Sequence, residues 1–179
     1  MSTPDHYDLI LVRCRALFAA KTHDYGTAWR ILRLPSVTDQ LLIKAQRIRT
    51  IQEAGQQQVA DSVDDEFVGI INYCIIALIQ RQLPPDAPLD LPAAEALRAY
   101  DEQAAANREL LLAKNHDYGE AWRQMRVSSI TDLILMKLHR LKQLEDLTDG
   151  PQASEGAEGS YRDMLNYAVF ALILSSAGL

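Results

Sequence analysis

One stretch of this chain occurs twice, and that repetition restricts the folds open to it more than any other feature. Lys21-Thr22-His23-Asp24-Tyr25-Gly26-Thr27-Ala28-Trp29-Arg30 returns as Lys114-Asn115-His116-Asp117-Tyr118-Gly119-Glu120-Ala121-Trp122-Arg123, with eight of ten positions identical. The same shift of 93 carries Tyr7, Asp8 and Arg15 onto Tyr100, Asp101 and Arg108. It also carries Asp39, Lys44 and Arg47 onto Asp132, Lys137 and Arg140. Asn72-Tyr73 recurs as Asn166-Tyr167, with one residue inserted between. A tandem duplication of this kind implies two copies of one structural unit. What both copies kept is largely polar, whereas a core needs only apolar residues of suitable volume. Retained polar residues ask for a further explanation.

The 179 residues suffice for one substantial domain or two small ones packed together. A net charge of −6 opposes a surface that coats nucleic acid, which needs a basic footprint. A single nucleotide is not excluded, because a few basic residues or a metal ion can meet its phosphates. Cys14 and Cys74 sit in apolar helical patterns with no zinc-site spacing. The N-terminus lacks a signal-peptide pattern, and the apolar runs 67–79 and 167–174 are too short to span a bilayer. The expectation is a cytoplasmic monomer or homodimer, without a membrane or nucleic-acid polymer as partner.

The hydrophobic spacing predicts three helices per repeat and no strand. The first helix covers about 4–21, with Tyr7, Ile10, Cys14 and Leu17 at helical spacing, and its copy covers about 93–114. Gly26 and Gly119 supply the freedom for the chain to reverse afterwards. Ser36-Val37-Thr38-Asp39 and Ser129-Ile130-Thr131-Asp132 fit a capping box opening the second helix, with Asp in the usual place of Glu or Gln. That helix runs to about 53, and its copy carries 133–144. The third helices, about 61–82 and 155–177, turn apolar on nearly every face, as a buried helix does. The Pro-rich stretch 83–92 separates repeat 1–82 from repeat 93–179. Neither half can cover its apolar third helix alone. The expected fold is an all-α six-helix bundle with pseudo-twofold symmetry, in which both halves pack as one unit.

Three groups of residues are candidates for chemistry. On the third helix, Asp61, Asp65 and Asn72 fall within about 40° of one another at 3.6 residues per turn. Glu155, Arg162 and Asn166 do the same in the copy, with Glu158 and Asp163 flanking. Clustered carboxylates repel unless a cation sits among them, and such oxygen-rich sets suit Mg²⁺. The alternative is that first-turn acids merely complement the helix dipole. Lys44 with Arg47, and Lys137 with Arg140, are i, i+3 pairs projecting from one face. Spacing alone favours a solvated surface, and retention in both copies favours phosphate oxygens. Lys21, His23, Asp24, Tyr25 and Trp29, with Lys114, His116, Asp117, Tyr118 and Trp122, fit two readings. One is a turn that plugs the bundle end. The other is a nucleobase or sugar pocket, with an aromatic ring stacking and a lysine reaching phosphate. Asp39 and Asp132 are explained by the capping box. No Ser-His-Asp order, Gly-rich phosphate loop or Cys-His pair supports nucleophilic catalysis.

The string Lys-x-x-Asp-Tyr-Gly-x-Ala-Trp, then Asp-x4-Lys-x2-Arg, then an acidic helix ending in Asn-Tyr, resembles the nucleotide modification associated domain family, which sometimes occurs as a tandem pair. The resemblance covers nearly the whole chain. The order of parts is also similar, more loosely, to the all-α NTP pyrophosphohydrolases of the MazG and dimeric dUTPase group. That wider group implies a helical bundle with a Mg²⁺ site built from acids on two helices. Its reaction is hydrolysis of a nucleoside triphosphate to the monophosphate and pyrophosphate, with a metal-activated water attacking. The resemblance assigns Asp61, Asp64, Asp65, Glu155, Glu158 and Asp163 to metal, with Asn72 and Asn166 joining the nucleotide site. The family's acidic pattern, acid-x2-acid-acid-x3-acid, is met in the first copy except at Gly69 and in the second except at Gly159. The Glu-x-x-Glu pair of the pyrophosphohydrolases is missing from the second helix. Two expectations follow. One is a nucleotide-handling Mg²⁺-dependent (d)NTP pyrophosphohydrolase whose duplication replaces a homodimer. The other is a non-catalytic nucleotide-binding or assembly module on the same scaffold.

Overall fold

The computed structural model describes residues 1–56, 58, 61–147 and 156–175, and among these every regular element is helical. In chain order they are α1 (Thr3–Tyr25), a 3₁₀ turn (Ala28–Ile31), α2 (Leu34–Ala54), α3 (Val63–Gln82), α4 (Ala93–Tyr118), a second 3₁₀ turn (Ala121–Gln124), α5 (Val127–Glu145) and α6 (Ala157–Ser175).

Local chemistry accounts for the boundaries. Ser2 caps α1: its hydroxyl accepts from the Asp5 N–H while the Asp5 carboxylate accepts from the Ser2 N–H. Ser62 and Asp65 build the same reciprocal cap on α3, satisfying amides that a helix start leaves without partners. Gly26 and Gly119, at φ +63° and +62°, end α1 and α4 in backbone that disfavours a side chain. Helices α1 and α4 run on through the His-Asp-Tyr segment, four residues beyond the expected ends.

The capping boxes expected at Ser36–Asp39 and Ser129–Asp132 are not used. Helix α2 starts at Leu34 from Arg33, with Pro35 in its first turn, and α5 starts at Val127 from Arg126. Proline is favoured in a first turn because the amide it lacks would have no helical partner there. Asp39 and Asp132 instead reach across the molecule. Asp39 pairs with Lys142, and Asp132 with Arg49, each at 3.5 Å.

Those two contacts are copies of each other, and the whole bundle is built that way. Helix α1 packs on α4, α2 on α5 and α3 on α6, so each element meets its own duplicate across a pseudo-twofold axis. Arg15 forms a bidentate pair with Asp101 (2.6 and 2.9 Å), and Arg108 with Asp8 (2.7 and 2.9 Å). Thr38 donates to Glu145 at 2.5 Å, while Gln52, the counterpart of Glu145, donates to Thr131 at 3.0 Å. Much of the duplicated polar sequence therefore serves the join between repeats.

The core follows from burial of the two apolar helices. Phe67, Ile70, Ile71, Cys74 and Ile75 of α3, and Tyr161, Met164, Leu165 and Val169 of α6, are essentially inaccessible to solvent. Removing such surfaces from water is the main favourable contribution to folding. No described helix is long and apolar enough to cross a membrane.

Candidate functional site

In the first repeat, the end of α1, the 3₁₀ turn and the outer face of α3 enclose a pocket of about 460 Å³. Phe18, Trp29 and Tyr73 supply aromatic walls, Lys21 and Lys44 supply cations, and Asp61, Asp65 and Glu66 line the opposite charge. Trp29 is held where it is by Gln80, whose amide donates to the carbonyls of Trp29, Arg30 and Leu32 at 3.2, 3.2 and 2.9 Å. Arg30 returns a hydrogen bond to the Gln80 carbonyl oxygen. The indole N–H of Trp29 is buried and makes no hydrogen bond among the described residues.

The charges are distributed unevenly. Glu66, nearly buried, accepts from Arg47 at 2.7 Å and from Lys44 at 3.3 Å. Arg47 also donates to the Asp61 carbonyl at 2.8 Å. Asp65 serves the α3 cap and pairs with Arg13 at 2.9 Å; the Ser62 hydroxyl and amide, then Arg13, hold its carboxyl below the ordinary aspartate value. Lys21 forms no ion pair among the described residues, so its ammonium alone is left without a carboxylate in this pocket.

The second repeat places the same residue types together and closes the space. Its pocket holds about 160 Å³, because Phe170 of α6 stacks on Trp122 with centroids 4.2 Å apart and planes 8° off parallel. With the one-residue insertion counted, the counterpart of Phe170 is Ile76. Its charges are also neutralised: Asp163 accepts from Lys114 at 2.6 Å and pairs with Lys137 at 3.0 Å. Burial alone would raise the Asp163 pKa, but the two lysines outweigh it and hold the group below the ordinary aspartate value. The counterpart of Asp163 is Gly69.

The sequence-derived candidates thus fall into separate groups. Lys21, Tyr25, Trp29, Lys44, Asn72, Asp61 and Asp65 share the first pocket, and Lys114, Tyr118, Trp122 and Asn166 share its smaller counterpart. His23 and His116 lie outside both, with side chains 88% and 89% exposed, each paired with the next aspartate, Asp24 or Asp117. Asp61 precedes α3 rather than opening it. Asp64 turns to the end of α6, accepting from Ser175 at 3.0 Å. Glu158 pairs with Arg162 on its own helix, and Glu155 lies outside the described residues. Arg140 keeps its place on α5 beside Lys137 but lines neither pocket. Asn72 bridges elements: its amide donates to the Cys14 carbonyl at 3.1 Å, and Tyr100 donates to its oxygen at 2.8 Å. Asn166 accepts from Asn107 at 2.7 Å. Among the described residues no three His, Cys, Asp or Glu side chains converge as a cation site.

Sequence reasoning passed over Glu66, Gln80 and the Ile76/Phe170 difference. Glu66 lies off the acid-x2-acid-acid spacing. Gln80 is a polar residue near the end of an apolar helix whose partners, the carbonyls of the 29–32 turn, are fixed by packing. The Ile76/Phe170 difference emerges only when the third helices are matched with the inserted residue in place.

The geometry defines an all-α tandem repeat in which each copy sets a Lys, an aromatic turn and an Asn-Tyr helix around one pocket. A family model described as Nucleotide modification associated domain 1 matches the chain twice, over residues 21–81 and 114–174. The chain belongs to that family as a tandem duplicate. No curated protein and no solved structure gave a significant match.

Proposed function

We propose that the first repeat binds one nucleotide per chain and that the second repeat serves as its scaffold. The observation that carries this reading is the contrast between the two pockets. One is open, lined by aromatic walls and holds a lysine with no ion pair among the described residues; the other is narrowed by its own phenylalanine and neutralised by its own aspartate. Aromatic walls suit the face of a base, and a pocket of this size suits a mononucleotide.

A second reading, Mg²⁺-dependent hydrolysis of a (d)NTP, is favoured by the presence of Asp61, Asp65 and Glu66 on the wall of the same pocket. The residues fit a metal poorly. Glu66 is engaged by Lys44 and Arg47, Asp65 by its cap and Arg13, and no set of three ligands converges among the described residues. These engagements favour binding over hydrolysis.

The test combines calorimetric titration with common nucleotides and an assay of pyrophosphate release in Mg²⁺ or Mn²⁺. Saturable binding with a stoichiometry of one and no release is the expected result. Release from one triphosphate, lost in Glu66→Gln, would establish the hydrolase instead. No binding of any nucleotide would remove both readings.

A further inference from the structure

A carboxylate of α6 sits between two lysines in the second repeat, and the first repeat has glycine at that position. In the second repeat the Asp163 carboxylate lies between Lys114 and Lys137, 2.6 and 3.0 Å from their ammonium nitrogens. The counterparts of those lysines are Lys21 and Lys44, and both line the open pocket. The residue that would provide the carboxylate there is Gly69. A Cβ built on Gly69 would meet Cε, Cδ and Nζ of Lys44 at 2.8, 2.9 and 3.0 Å. The end of Lys44 thus lies over the glycine, in the space that a side chain such as that of Asp163 would need. Lys21 has no carboxylate partner among the described residues.

We propose that Lys21 and Lys44, above Gly69, hold a single phosphate group, and that the ligand of the first-repeat pocket is a nucleoside monophosphate. The proposal rests on the nucleotide reading of this pocket and narrows it to a ligand class. Asp163 acts as the internal stand-in for that phosphate in the closed repeat, since a carboxylate and a phosphate present similar oxygens to paired ammonium groups. The cations that line the pocket limit the ligand to one phosphate. They are Lys21 and Lys44, the latter shared with Glu66; Arg13 and Arg47, which pair with Asp65 and Glu66, are not among the lining residues, so a longer phosphate chain would meet no second pair of lysines there.

The test is calorimetric titration of the full chain with common nucleosides, their 5′-monophosphates and their triphosphates, without divalent cations. At least one monophosphate should bind about tenfold or more tighter than its nucleoside, and tighter than its triphosphate. In Gly69→Asp, where Lys44 can swing to the new carboxylate, the monophosphate should lose its advantage over its nucleoside. Lys21→Gln should act in the same direction without adding bulk. A thermal melt confirms that each variant is folded. Equal affinity for nucleoside and monophosphate, or tightest binding of a triphosphate, would overturn the seat while leaving the pocket's nucleotide reading intact. Absence of binding by every nucleoside and nucleotide would overturn that reading itself, and the seat with it.

Discussion

Replacing Ile76 by phenylalanine transfers the second repeat's plug into the first. Ile76 is 7% exposed and lines the open pocket. At the equivalent place Phe170 lies flat on Trp122, and the cavity there is about 160 Å³ rather than 460 Å³. A phenyl ring in this position covers the Trp29 face that the proposed base would use. Stacking of one base on an aromatic side chain contributes about 1–3 kcal/mol, so loss of the stack alone weakens binding roughly 5- to 150-fold. Steric exclusion adds to that, and the expected outcome is loss of measurable binding by calorimetry. Overpacking a full core ordinarily costs about 1–3 kcal/mol, but this ring enters existing space, and an aromatic pair contributes about 0.5–1.5 kcal/mol. The melting temperature should therefore stay level or rise. A folded Ile76→Phe protein that binds nucleotide with wild-type affinity would refute the stacking argument, because the base would then lie elsewhere.

Two further outcomes test the framework around the pocket. Asn72→Ala removes the link between the Cys14 carbonyl and the Tyr100 hydroxyl, both in the buried interior. The carbonyl keeps its partner within α1, but the hydroxyl loses its acceptor, and at about 1–3 kcal/mol for a group left unsatisfied, unfolding stability should fall by about that much. Urea denaturation reads this as a lower midpoint at an unchanged slope, and a loss under 1 kcal/mol would show that water or another group replaces the amide. Asp163→Asn addresses the closed repeat through pH. The folded pKa of Asp163 lies below its unfolded value, so the unfolded chain binds the proton more readily between the two. The carboxylate's contribution to stability is complete above the ordinary aspartate pKa and disappears as pH falls through the lower, folded value. Melting curves from neutral to strongly acid pH should show a shallower acid loss in Asp163→Asn than in the wild type, and identical slopes would mean that the lysine pairs contribute nothing.

How much was legible in the chain varies by level. The duplication, the six helices and the twofold packing follow from periodicity, because an apolar third helix in each copy has to be covered and its own duplicate is the nearest surface able to do so. Helix starts were less legible. Ser36 and Ser129 look like caps, yet Pro35 permits an earlier start, and Asp39 and Asp132 are used between repeats. The retained polar residues combined two roles that one chain written out cannot separate. Tyr7, Asp8, Arg15 and their copies serve the join, whereas Lys21, Trp29 and Lys44 line a pocket.

The sequence by itself determined that there are two copies of one helical unit and which residue types surround each pocket. Only the tertiary structure decided that the pockets are unequal. Their difference depends on what Ile76 and Phe170 leave open beside Trp29 and Trp122, and on whether residue 69 or 163 brings a carboxylate to lysines of other helices. Each of these is a contact between residues far apart in the chain. Volume and charge at such a meeting point are properties of the packed helices, and local spacing carries no record of them.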